Sequence, residues 1–176
     1  MTKPELQDAR GPLSRTLMRW GRCGERGDAL VELALALCLL GLPLLVGTAD
    51  MGFVVYDSIE VANAAHAAAL YGMQSSTYAA NTSGVIAAAQ TEASDFGTAL
   101  SVTPTAYYAC SNAIGGTQYT GSNAQANATA ACTGGTNHAL EFLKVNTSAT
   151  ITPPIHLPGL SNTFTVTGSS VMEVEQ

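Results

Sequence analysis

The sequence predicts an α+β protein: a long N-terminal transmembrane helix extended outside the membrane, a second helix, and a small antiparallel sheet of about three strands. Three observations carry this prediction. Residues 29–49 are apolar apart from Glu32 and follow a basic leader. An Ala-rich stretch with helical spacing continues directly from them. The last third of the chain turns to Thr, Val and Tyr, with apolar residues at every second position.

Charge placement supports the same division. The chain has 176 residues, of which 11% are charged, against about 25% in an ordinary soluble domain. Six of the seven cations (Lys3, Arg10, Arg15, Arg19, Arg22 and Arg26) lie in the first 27 residues, with three acids, for a net +3. From Asp28 onward Lys144 faces ten acids, for a net −9. An acidic body argues against nucleic acid as a partner, because phosphate binding needs a basic face.

The leader lacks sustained periodicity beyond a short helix predicted at Leu13–Trp20. The apolar run Ala29–Ala49 spans roughly 31 Å as a helix, close to the hydrocarbon thickness of a bilayer. A removed signal peptide is the alternative, but its apolar region is normally about 7–15 residues long. Val46-Gly47-Thr48-Ala49 is only a loose cleavage sequence, so a retained helix is the better reading. Pro43 predicts a kink. Five arginines before the helix and one lysine far beyond it place the N-terminus in the cytoplasm. The expected organisation is a cytoplasmic leader at 1–27, a membrane helix at 28–50 and an exported domain at 51–176.

Within the exported part, Ile59, Ala62, Ala69, Leu70 and Met73 recur at helical spacing with His66 among them, so the first helix is expected to end near Gly72–Ser76. A second helix is predicted over Ser83–Phe96. Asn81, Thr82 and Ser83 are its candidate caps, Ile86, Ala89, Ala93 and Phe96 its apolar stripe, and Gly97 its stop. Leu100–Ala109 reads as a strand in which Pro104 marks an edge or a bulge. Residues 111–137, rich in Gly, Asn, Ser and Thr, read as a long loop. Leu140–Ile151 and Thr163–Val174 alternate cleanly and read as strands, separated by Pro153, Pro154, Pro158 and Gly159.

Cys110 and Cys132 fall in the exported part with 21 residues between them. An oxidising compartment favours their disulfide, which would stabilise the fold by about 3 kcal/mol on chain-entropy grounds. Two unpaired thiols are the alternative. Cys23 lies in the leader and Cys38 in the apolar run, and no CxxC suggests zinc or thiol redox chemistry. His66, His138 and His156 lack metal-ligand spacing, and no HExxH, GxSxG, phosphate loop or dinucleotide fingerprint occurs. Glu173 and Glu175 read as a solvated strand end. The expectation is a protein that is not an enzyme and carries no cofactor and no metal.

Glu32 is an ionisable group near the start of a membrane helix, which costs about 2.5–3.5 kcal/mol at the bilayer centre and less at the interface. It could snorkel to the cytoplasmic surface. It also stands five residues after Gly27, at the junction of basic leader and apolar helix. Cleavage after Gly27 would free an amine on Asp28 and leave Glu32 about 6 Å deeper along the axis. There its carboxylate could pair with a neighbouring chain's terminal amine, offsetting the burial cost.

The run Glu25-Arg26-Gly27-Asp28-Ala29-Leu30-Val31-Glu32-Leu33-Ala34-Leu35 resembles a prepilin processing junction. With Asp50-Met51-Gly52-Phe53-Val54-Val55-Tyr56 and the closing Phe164–Gln176 segment, it resembles the TadE-like family, minor pilins or pseudopilins of tight-adherence, Flp-type pilus systems. The resemblance implies cleavage after Gly27 by a prepilin peptidase, Asp28 as the mature N-terminus and Glu32 as the assembly carboxylate. It further implies residence in the bacterial inner membrane, an exported C-terminal domain, and other pilus-assembly subunits and pilins as partners. Asp28 departs from the pattern, which has a small or apolar residue there. The competing function is a single-pass binding module whose tethered loop captures an extracytoplasmic ligand unrelated to pili.

Overall fold

A computed structural model describes residues 25–155 and 161–176. The helix expected at Leu13–Trp20, and Cys23, His156, Pro158 and Gly159, lie outside the described residues. The chain divides into two units, one ending at Val46 and the other running from Gly47 to Gln176.

In the first unit, α1 (Glu25–Ala36) leads through a π-helical turn, Leu37–Gly41, into α2 (Leu42–Gly72). The turn closes with the N–H of Leu42 bonded to the carbonyl of Leu37, one residue wider than an α-helical bond. Pro43, just beyond, has no N–H to donate and crowds the preceding turn. The widened turn is how this helix absorbs the proline that the sequence marks as a kink. Leucines in this unit are exposed all round, as suits a helix solvated by lipid.

The second unit is α+β as expected. Its elements are the remainder of α2, α3 (Ser76–Ala80), α4 (Thr82–Glu92), a 3₁₀ turn at Gly97–Ala99, β1 (Ser101–Cys110), α5 (Ala124–Ala131), β2 (Ala139–Ile151) and β3 (Phe164–Glu173). The strands form an antiparallel sheet in the order β1-β2-β3. Pairs such as Ala106↔Leu143 and Leu143↔Met172 fix the register. Leu143, Val145, Ala149 and Ile151 are buried on one face of β2, whereas Lys144, Asn146 and Ser148 are half-buried and Thr150 exposed on the other. The strand alternation is as expected. Burying a Leu or Val side chain fully stabilises by about 1.5–3 kcal/mol, and this face holds most of the core.

α2 lies along that face. Val54 packs near the Ile151 end of β2, the carbonyl of Val61 accepts a hydrogen bond from Thr147 Oγ1 at 2.8 Å, and Met73 accepts one from the N–H of Glu175 at 2.8 Å. The helix therefore descends β2 in reverse and runs parallel to β3. It comes close to β3 at Gly168, where an added Cβ would stand 2.7 Å from Ala62 Cα and Val61 O.

The buried face of α2 is made mostly of small residues. Val61, Ala64, Ala65, Ala68, Ala69 and Gly72 are buried, while Ile59, Ala62, His66 and Leu70 of the apolar stripe noted in the sequence are exposed. Periodicity detects a stripe without regard to side-chain size. Here small residues lie inward because the helix backbone sits against β3, which leaves the larger apolar side chains outside.

The other elements differ less. α4 ends at Glu92 rather than Phe96, and its buried residues are Val85 and Ala89. Asn81 is its cap, the side chain accepting from the N–H of Gly84 at 3.1 Å. Pro104 occupies an edge strand. The N–H and carbonyl of Tyr108 bond outward to Tyr119, so by two-residue alternation the nitrogen of Pro104 also points away from β2, where no donor is needed. Residues 111–137 are not all loop. α5 lies on the second face of the sheet, burying Ala124 and Ala128 beside the stacked rings of Tyr107 and Phe142, 5.4 Å apart.

Candidate functional site

Gly27, Asp28 and Glu32 all lie on α1, which begins at Glu25. Asp28 and Glu32 are one helical turn apart on one face, and both are exposed. The Gly27–Asp28 bond falls in the first turn, where the N–H groups have no partners within the helix and unwinding costs least. A Cβ on Gly27 would meet nothing within 4 Å, so its own surroundings leave room for a side chain.

In the second unit, Cys110 at the end of β1 is bonded to Cys132 just after α5, with Cα atoms 5.4 Å apart. The bridge fastens α5 to the strand it covers. Cys38 is free and exposed.

Two residues of the apolar stripe noted in the sequence, Ile59 and Leu70, form part of an outward ridge. Met51, Val55, Ile59 and Leu70 follow one another at helical spacing and are 44–57% exposed, with His66 among them. Beside the ridge lies a shallow pocket lined by Ala49, Gly52, Phe53, Tyr56, Asp57 and Asp95, and next to it another with Glu60, Glu92 and Asp95. Burial pushes the Asp57 carboxyl above its ordinary range, and the charge of Asp95 adds to the shift. Burial raises Glu60 as well, reinforced by Asp95, Asp57 and Glu92 and partly opposed by the backbone N–H of Asp95. Lys144 stands on the far face of the sheet and does not offset these charges. The sequence reading did not single out this acidic group. Its signal was two pairs of acids three residues apart, 57/60 and 92/95.

Other polar groups read as structural. Asp50 and Glu141 are buried. Burial first, then the Glu141 carboxylate opposite it on the strand pair, lift the Tyr108 phenol above its usual range. His66 and His138 are exposed and far apart in sequence, and Glu173 and Glu175 are exposed at the end of the sheet. Among the described residues no group of His, Cys, Asp and Glu is placed to hold a metal ion.

One helix among the described residues, Gly27–Gly72, is long and apolar enough to cross a membrane, and it fits a single-pass anchor near the N-terminus. Neither a curated protein nor a solved structure matches the chain. Residues 27–70, a quarter of the sequence, match the family described as TadE-like protein. The match begins at the glycine of the junction and ends inside the helix that lies on the sheet. From Gly27 through the apolar helix to Leu70, the chain is thus similar to the TadE-like family.

Proposed function

We propose that the protein is a membrane-anchored minor pilin (pseudopilin) that takes part in assembling a tight-adherence, Flp-type pilus. It is held in the bacterial inner membrane with its N-terminus cytoplasmic and residues 51–176 exported. The observation that carries this reading is the TadE-like match over a helix whose exported continuation presents an outward apolar ridge. A helix that only anchored a binding module would need no exposed Met51, Val55, Ile59 and Leu70 beyond the membrane, since isolated apolar patches of this kind mark contact surfaces. A prepilin peptidase cleaves after Gly27. Glu32 then pairs with the terminal amine of a neighbouring subunit, and the ridge packs against other helices of the assembly.

Mass analysis of the mature protein tests this reading. Cleavage leaves 149 residues, 28–176, beginning at Asp28. Gly27→Val is expected to leave the precursor intact, because a branched side chain obstructs close approach of the peptidase to an extended backbone. Glu32→Ala removes a charge that is costly in lipid, so insertion is expected to be normal while fibre assembly is lost. A native N-terminus at Met1, together with normal assembly of Glu32→Ala, would overturn the processing assignment.

A further inference from the structure

The two edges of the sheet are finished differently. On β1 the outer edge is covered at one end, where Tyr108 and Tyr119 exchange backbone hydrogen bonds of 2.9 Å, and interrupted in the middle by Pro104. On β3 the outer edge is covered only beyond the strand's end, where the N–H of Glu175 bonds to the carbonyl of Met73, and is left open along the strand among the described residues. The N–H of Val174 bonds to the carbonyl of Glu141 on β2, so by alternation the even-numbered residues of β3 face β2. The odd-numbered ones, Thr165, Thr167, Ser169, Val171 and Glu173, direct their N–H and carbonyl groups outward. Among the described residues none of these backbone groups has a hydrogen-bond partner. The strand is ten residues long, contains no proline and carries one charge, Glu173, at its end. An uncharged edge of this length is a template for strand addition, and proteins normally blunt it as β1 is blunted.

We propose that the β3 edge accepts an extended segment from a different exported protein, which adds as a fourth strand. A second copy of this chain is a poor occupant in each arrangement. Antiparallel pairing of β3 with β3 would reverse one α2 against the other, because α2 runs parallel to β3; the Gly47 ends would then leave from opposite ends of the pair. That exclusion rests on the reading that both chains are anchored in one membrane. Parallel pairing about a two-fold axis would set outward-facing residues opposite each other, whereas a parallel ladder needs them offset by one. Head-to-tail pairing of β3 with β1 meets Pro104 and Tyr119. Two domains of the same strong negative charge also repel. The partner segment is instead of Thr, Ser and Val type, to lie beside Thr165, Thr167, Ser169 and Val171, with a Lys or Arg near Glu173 and Glu175. This is main-chain recognition with side chains setting the register.

The test uses the full chain in fibre-producing cells, with a photo-crosslinking amino acid at Thr167 or Val171 and, as control, at Thr105 on β1. Adducts at the two β3 positions, absent at Thr105, are expected to contain peptides of one different exported protein. Thr167→Pro removes one outward donor without touching the β2 ladder, and Thr167→Lys places a charge on the edge. Each is expected to reduce the Val171 adduct about tenfold, the equivalent of one backbone hydrogen bond at about 1.4 kcal/mol. An intact Cys110–Cys132 bridge in each variant reports that the domain has folded. Adducts with this chain alone, equal yield at Thr105, no adduct, or adducts insensitive to both variants would each overturn the proposal. A partner outside pilus assembly would uphold strand addition and defeat the pilus reading. Lost fibres with no β3 adduct would do the reverse.

Discussion

Replacing Gly168 with alanine tests the contact between α2 and the sheet. In most strands this change is mildly favourable, because alanine loses less backbone entropy than glycine on folding. Here the new Cβ would stand 2.7 Å from Ala62 Cα, Thr147 Oγ1 and Val61 O. Two of the three are backbone atoms of α2, so no side chain can rotate away. Reaching ordinary contact requires the helix to lift by roughly 0.7 Å, and overpacking of this kind costs about 1–3 kcal/mol. The same movement strains the buried hydrogen bond from Thr147 Oγ1 to Val61 O, 2.8 Å long, worth about 1 kcal/mol more. The expected loss is about 2–4 kcal/mol, measured by urea unfolding of the detergent-solubilised protein followed by pulse proteolysis. Gly52→Ala serves as the contrast. It lies on α2 with nothing within 4 Å of the added Cβ, and should stabilise by about 0.5–1 kcal/mol. If Gly168→Ala unfolds within about 0.5 kcal/mol of the parent protein, the close approach of α2 to β3 described above is wrong.

Three further outcomes are expected. Non-reducing peptide mapping should recover Cys110 linked to Cys132 and Cys38 unlinked, and Cys110→Ala with Cys132→Ala should lower stability by about 3 kcal/mol. Asp95→Asn should return Asp57 and Glu60 toward ordinary carboxyl values in a carboxyl NMR titration. Because both folded-state values are raised, the folded protein binds more protons than the unfolded chain between the ordinary carboxyl value and the raised one. Stability should therefore increase as pH falls through that window, and the slope should flatten in the variant. A reporter active only outside the cytoplasm should work when fused after Gln176 and be silent when fused within residues 5–20; the opposite pattern would overturn the topology.

The strands were legible because one face of the sheet is largely polar. Leu143-Lys144-Val145-Asn146 states its own orientation, and a one-residue slip would expose the core. The long helix was legible from length and apolarity, and the cap at Asn81 from the chemistry of its side chain. The inward face of α2 was not, because alanine and valine compete poorly with Ile59 and Leu70 on any hydrophobicity ranking, yet only small residues let the helix approach Gly168. α5 was hidden by its composition. Asn, Gln and Thr between alanines give little amphipathic signal, and what it buries is the methyl groups of Ala124 and Ala128. For the junction, Gly27 and Glu32 were singled out by their spacing and their place between basic leader and apolar helix, and the role expected of them depends on a peptidase and on neighbouring chains.

The direction of α2 on the sheet also sets how the domain bears tension. A pull on the Gly47 end draws the helix lengthwise along β3. Contacts from Val54 to Gly72, the Thr147–Val61 hydrogen bond and the Glu175–Met73 hydrogen bond are then loaded together in shear. A helix crossing the strands would instead be peeled off one contact at a time, each carrying the whole load in turn. Resistance to force along the anchor thus follows from alignment rather than from the strength of any one bond, and a strand added beside β3 would take up the load along the same line.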